Sequence, residues 1–209
     1  MKYFKTLPST AVTDQNNNII GAIDLTARAS LIPKLSLNPL LFYKYTIQEQ
    51  DLPENIAYKY YNDQYRYWLI FYANNMIDPK SDWPLNNNDF AAYLNDKYGT
   101  LASANNQSVT AYCQTTVYNY QQTITTYDSS SQQTSVKTIY IDALTYANVI
   151  PSTSTAIFPS GSTVTYTIDK NVVSILDYEN ELNESKRNIN IINSVYVNDL
   201  EKQFSSLMQ

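Results

Sequence analysis

The chain has 209 residues, enough for one ordinary domain or two small ones, and its 44% hydrophobic share is sufficient to bury a core. A net charge of −5 excludes nucleic acid as a main partner, because phosphate backbones are bound through a basic footprint. The absence of histidine removes Ser-His-Asp and Cys-His catalysis and most zinc sites.

No apolar run approaches the roughly 18 residues of a membrane-spanning helix, and Lys2 and Lys5 are followed by no continuous apolar stretch, so no signal peptide is expected. Cys113 is the single cysteine and cannot form an internal disulfide. The expected folding compartment is a reducing cytoplasm. Charged residues make up 16% of the chain, against a typical figure of about 25%. Polarity comes instead from Asn, Gln, Ser, Thr and 20 tyrosines. Such a surface suits lasting protein contact, and an AT-rich coding sequence would give the same bias.

Residues 1–41 have no sustained period. Asp14 to Asn18 reads as a loop between two short apolar pieces, and Pro8, Pro33 and Pro39 oppose a long helix. An extended arm with a strand or two is predicted here. Phe42 to Ile47 is aromatic and β-branched, hence a strand. Asp51 and Glu54 form a capping-box pattern ahead of a short helix carrying Ile56, Ala57 and Tyr60. Asp63 is positioned to cap a second helix, with Tyr65, Trp68, Leu69, Tyr72 and Ala73 along one face. Asn74 and Asn75 end it, and Asp78-Pro79 and Asp82-Trp83-Pro84 form a turn-rich loop. A third helix is predicted from Asn88, with Phe90, Leu94 and Tyr98 aligned and Gly99 as its stop.

Residues 100–170 read as a β-rich insert, with Asp128 to Gln133 as a polar hairpin link. Residues 171–209 return to helix, beginning with a stripe of Val172, Ile175, Leu176, Glu179 and Leu182. Asn188 to Ile191 alternates as a short strand would. Asn193 or Ser194 then caps a last helix whose Val197, Leu200, Phe204 and Leu207 share one face. The fold class is therefore α+β, in four segments: an arm at 1–41, a helical module at 42–99, an antiparallel β insert at 100–170 and a C-terminal amphipathic helical region at 171–209.

Carboxylate pairs for glycosidase chemistry would come from Glu54, Asp63, Asp78 and Asp82, close in sequence to two tryptophans. Each has a plainer role, as a cap or as a turn residue. The loop from Asp78 to Asp89 lacks the spacing of an EF-hand, and three glycines provide no phosphate-cradling loop. No catalytic residue, no metal and no cofactor are expected, and the chain is read as a non-enzyme. Ile56, Tyr67, Trp68, Tyr72 and Trp83 are the expected core of the module. Tyr58, Tyr61, Tyr65 and the stripe Val197, Leu200, Phe204 and Leu207 are the expected contacts with partners.

The run from Asp51-Leu52-Pro53-Glu54-Asn55-Ile56-Ala57 to Asn62-Asp63, followed by Trp68 and by Ala73-Asn74-Asn75-Met76-Ile77-Asp78-Pro79, resembles a LysM module of strand–helix–helix–strand order. Asn62 stands where that family often has glycine, a change that Asn tolerates because it accepts a left-handed backbone. With Asp82-Trp83-Pro84-Leu85, the helix Phe90–Tyr98, the C-terminal run Tyr178 to Ile189 and an N-terminal Tyr3-Phe4, the chain resembles the small baseplate wedge proteins of T-even-like contractile-tailed phages. The resemblance covers roughly residues 1–99 and 170–209. It implies a structural virion protein, assembled in the host cytoplasm, whose LysM-like part ties neighbouring wedges together around the tail hub. Its partners would be other wedge and sheath-like proteins, with no nucleic acid and no membrane. The alternative implied by LysM alone is binding of peptidoglycan or chitin.

Overall fold

A computed structural model describes residues 7–24, 27 and 38–208. The chain is a mixture of helix and small antiparallel sheets, and its contacts divide it into two compact units, residues 1–87 with 183–209, and residues 88–182. The Tyr3-Phe4 element of the family resemblance and most of the stretch between 25 and 37 lie outside the described residues.

In the first unit, β1 (Ser9–Thr13) and β2 (Ile19–Ile23) form a hairpin, with Val12 paired to Ile20. The turn is organised by Asp14, whose carboxylate accepts hydrogen bonds from the amides of Asn16 and Asn18 at 2.8 Å each. Those bonds, led by the Asn18 amide, hold its pKa below the usual value. Asn17 takes the left-handed conformation (φ 61°) that asparagine tolerates best after glycine. Further on, β3 (Phe42–Thr46) pairs not with a neighbour in sequence but with β8 (Asn188–Ile192), antiparallel, in the register Phe42 to Ile192.

Helix α1 (Pro53–Tyr61) presents Ile56, Ala57 and Tyr61 to the core and ends at Asn62 in the left-handed conformation (φ 52°). The anticipated capping box does not form. Leu52 occupies the N-cap without a side-chain bond, and Asp51 turns back to accept from the Gln48 amide (2.8 Å) and the Tyr45 hydroxyl (2.7 Å). Proline at the first helical position lowers the need for a cap, since its missing N–H is one of the orphan donors. Asp63 caps a 3-10 turn (Gln64–Arg66) through the Tyr65 amide, and α2 (Trp68–Ala73) follows, with Trp68, Leu69, Ile70 and Ala73 buried. A short helix α3 (Pro79–Asp82) is capped by Asp78. The last helix, α8 (Ser194–Leu207), is capped by Asn193, whose side chain accepts from the Val195 amide.

One core joins these pieces: Ile47, Ile56, Ala57, Trp68, Leu69 and Ile70 pack with Ile189, Ile191 and Ile192 and with Val197, Phe204 and Met208 of the C-terminus. Asn74 connects α2 to β8. Its Nδ2 donates to the carbonyls of Ile70 and Asn190 at 2.8 Å each, and its Oδ1 accepts from the Asn190 amide at 2.8 Å. The side chain amide thus satisfies both backbone groups of one β8 residue, as a neighbouring strand would. Asn74→Ala is expected to lower stability by about 2–3 kcal/mol, because it strands half-buried backbone groups. Asn74→Asp should cost nearly as much, having no N–H to give. Urea unfolding followed by tryptophan fluorescence is the measurement, and losses under 0.5 kcal/mol would contradict this role.

The second unit begins in helix α4 (Asn87–Ala104), which passes through Gly99 instead of stopping there. The stop is Asn106, at φ 54°, where the amides of Asn106 and Gln107 bond back to Ser103 and Ala102 at 3.0 Å each. The boundary expected at residue 100 therefore falls inside a helix. Helix α5 (Val109–Thr115) is capped by Ser108, and its Cys113 is buried on the helix with Leu94 and Ile175, not on a strand. The first strand of this unit is β4 (Val117–Asp128), followed by β5 (Gln133–Ile141), α6 (Ala143–Asn148), β6 (Ser152–Ile157), β7 (Thr163–Ser174) and α7 (Ile175–Ser185). Val172, expected on the helical stripe, lies in β7.

The sheet runs β5-β4-β7-β6, wholly antiparallel. Its register places Tyr120, Ile124, Ile139, Tyr166 and Ile168 on one face and rows of threonine on the other. Helix α6 lies against the first face, where the Tyr146 ring meets Tyr120 at 4.7 Å, tilted by 34°, and the Tyr146 carbonyl accepts from Lys170 at 2.8 Å. The outer strands are otherwise bare: every residue of β6 is exposed, and all of β5 except Ile141.

Candidate functional site

The five residues expected to hold the module together meet in the first unit. Ile56 is 1% exposed and Trp68 4%, and Tyr67, Tyr72 and Trp83 pack partly buried against the same cluster. Trp68 has Phe204 at 4.9 Å and Tyr72 at 6.2 Å, while Trp83 meets Phe71 edge-on at 6.1 Å and donates from its indole N–H to the Asp51 carbonyl (3.3 Å). Edge and offset contacts are the favoured geometry for aromatic pairs.

The expected partner contacts separate into two groups. Tyr58, Tyr65 and Leu207 are exposed, and Leu200 is partly buried against the core. Tyr61, Val197 and Phe204 are not available to a partner, because they are buried in this chain's own core. Burial also pushes the Tyr61 hydroxyl well above its ordinary pKa. Periodicity correctly identified an apolar helix face in need of cover, but it does not tell whose core provides it.

Three of the four carboxylates weighed for chemistry are occupied in structure, while Glu54, its capping box unformed, lies exposed in the first turn of α1. Asp63 caps the 3-10 turn and Asp78 caps Lys80 (3.0 Å). Asp82 accepts from the amides of Ile77 (2.7 Å) and Asp78 (3.0 Å), and these bonds hold its pKa below the ordinary value. Tyr45 is pushed up to about 12 by burial, by its hydrogen bond to Asp51 and by that residue's charge. An open cleft of about 620 Å³ lies beside these residues, lined by Asn74 to Asp78, Ser81, Asp82, Lys186, Asn188 and Ile189. Within it Lys186 donates to the Ser81 carbonyl at 2.7 Å. Among the described residues no group of three or more His, Cys, Asp or Glu is placed to hold a metal ion, and no helix is long and apolar enough to cross a membrane.

Sequence reading missed the most deeply buried charge among the described residues. Glu179, counted as one position of a helical stripe, is 2% exposed. It accepts from Lys97 Nζ (2.8 Å), Tyr98 OH (2.6 Å) and Tyr93 OH (3.1 Å). A glutamate aligned with Ile175, Leu176 and Leu182 was the available signal, since a carboxylate on an apolar face is buried only with partners.

The functional geometry is thus one of surfaces: exposed tyrosines on a rigid aromatic core, and strands bare on both faces. Comparison with known proteins agrees with that reading. The family model described as base plate wedge protein 53 matches residues 4–209, including the β-rich stretch for which sequence reading found no counterpart. No curated protein matches the chain. Taken with its aromatic core and bare strands, that match makes the chain a member of the base plate wedge protein 53 family, structural proteins of the phage tail baseplate in the virion.

Proposed function

We propose that this protein bridges adjacent wedges of a contractile-tail baseplate through protein–protein contacts, and that it does so without catalysis. The observation that carries the reading is the exposure of strands over which no other described residues are packed. In the β1–β2 hairpin Val12, Ile19, Ile20 and Ile23 are all exposed, and an isolated two-stranded hairpin is marginal in water at best. Such an element is built to be covered on assembly. The order β3, α1, α2, β8, with both strands paired and both helices in one core, supports a LysM-like module. Its closing strand comes from residues 188–192 and not from the segment after α2. In this reading the arm 1–41 and the bare strands of the insert reach neighbouring proteins, while the module, built within residues 42–87 and closed by 183–209, supplies the rigid contact.

Co-expression with the neighbouring wedge proteins of the same phage, followed by size-exclusion chromatography with mass analysis, tests the proposal. The expected outcome is a stoichiometric complex. Tyr58→Ala and Tyr65→Ala together should weaken it roughly 30-fold if either ring is a hot spot worth about 2 kcal/mol, with an unchanged melting temperature. A chain that elutes alone at every ratio of partners overturns the reading.

A further inference from the structure

The sheet of the second unit ends in β6, and that edge differs in kind from its opposite, β5. No charged residue occurs anywhere from Ala143 to Ile168, a stretch that contains the whole of β6 and its flanks. β6 itself is Ser-Thr-Ser-Thr-Ala-Ile, without proline, charge or register shift, and it is exposed along its full length. Exposed strand edges are ordinarily blunted by a charge, a proline or a bulge, because their outward N–H and C=O groups template pairing. β5 carries such a blunting residue, Lys137, at its middle. β6 carries none.

We propose that the β6 edge pairs with the β6 edge of a second copy of this chain, antiparallel across a two-fold axis, to make one continuous eight-stranded sheet. A two-fold sets identical strands against each other, so any charge near the centre faces its own like charge. β5 fails that condition through Lys137, and β6 meets it. The side-chain rows fix the register. Within one copy Thr153 pairs with Thr167 and Thr155 with Thr165, their hydroxyls 3.4 and 3.3 Å apart. Pairing centred on Ser154 sets Thr153 of each copy against Thr155 of the other and extends both threonine rows across the junction. Ile150 and Ile157, each more than three-quarters exposed, flank the edge and gain cover from it. An edge of this length buries less than the ~1,000 Å² of a lasting interface. The contact is therefore concentration-dependent, and it contains no ion pair for salt to screen.

Sedimentation equilibrium of the full chain, over a concentration series at low and high salt, tests this. The weight-average mass is expected to rise from 23.9 kDa towards twice that value, with little change between salts. Thr155→Lys, at an exposed edge position, should hold the protein at monomer mass with an unchanged circular dichroism spectrum and melting temperature. The double substitution Thr153→Lys with Thr155→Glu places opposite charges across the junction and should restore the dimer, now in a salt-sensitive form. A chain that stays monomeric throughout, a dimer indifferent to Thr155→Lys, or a double variant that does not recover each overturns the proposal.

Discussion

Phe204→Ala is expected to destabilise the first unit by about 3–5 kcal/mol, the cost of emptying a large aromatic site in a packed core. The ring is 4% exposed, 4.9 Å from Trp68 and 6.0 Å from Tyr72, so its removal opens a hole in the middle of an aromatic cluster. Leu207, on the same helix and 73% exposed, is the internal control, and its replacement by alanine should change stability by less than about 0.5 kcal/mol. Thermal unfolding followed by near-ultraviolet circular dichroism, which reports the packing of Trp68, makes the comparison. A drop of roughly 10–20 °C for Phe204→Ala is expected for a unit of this size. Deleting residues 194–209 goes further, since it removes Val197, Phe204 and Met208 together. The remaining chain should lose its near-ultraviolet signal, whereas a detachable strap would leave the module folded. The experiment therefore separates a helix that belongs to this core from one that exists for a partner.

Local chemistry was legible wherever neighbours in sequence decide the structure. Asp63 and Asn193 cap the turns of backbone that follow them, Asn62 ends α1, and the Asp128 to Gln133 link joins β4 to β5, whereas Asp78, read as a turn residue, caps a short helix that was not expected. What local pattern cannot carry is the pairing of distant segments. β3 and β8 are separated by more than a hundred residues, yet they form one ladder, and the only trace in sequence is that Asn188 to Ile191 alternates. The same limit hid Asn74, which reads as a helix terminator until its contact with Asn190 is seen. Gly99 failed as a stop for a different reason. Glycine is tolerated inside a long helix at a cost near 1 kcal/mol, and the flanking Ala, Tyr and Leu residues offset it. At the interaction surfaces, the period of α1 leaves Tyr58 off the face of Ile56 and Ala57. Helical spacing aligned the exposed Tyr65 with the buried Trp68 and Leu69, however, and burial of Tyr61 and Phe204 depended on how distant segments close the core.

In the second unit the decisive substitution is at Glu179, where Glu179→Ala should cost about 3–5 kcal/mol, the effect of removing one partner from a buried charged network. Lys97 is 44% exposed in its side chain, but Lys97→Met leaves the 1%-exposed Glu179 carboxylate without its countercharge, so it too should cost about 3 kcal/mol. Burial alone raises the Glu179 pKa, and the hydrogen bonds from Lys97, Tyr98 and Tyr93 outweigh it, leaving the carboxyl below its ordinary value of 4.5. Burial lowers that of Lys97, and its bonds to Glu179 and Tyr93 raise it above 10.5. A depressed acid contributes stability that is complete above 4.5 and is lost as the pH falls through the folded value. A raised base contributes stability that is complete below 10.5 and is lost as the pH rises through the folded value. The melting temperature of this unit should therefore fall in acid below pH 4.5, and in base from pH 9.0, where unfolding lets the buried Cys113 thiol ionise, with Tyr98 following above pH 10.0. Glu179→Gln keeps the shape but cannot ionise, so it should lie lower across the plateau and show a shallower loss in acid. If wild type and Glu179→Gln fall with the same slope below pH 4.5, then Glu179 does not carry the acid sensitivity of the unit. The network holds α4 to α7 through three donors on one carboxylate, and its loss should free the ends of the strands that those helices anchor.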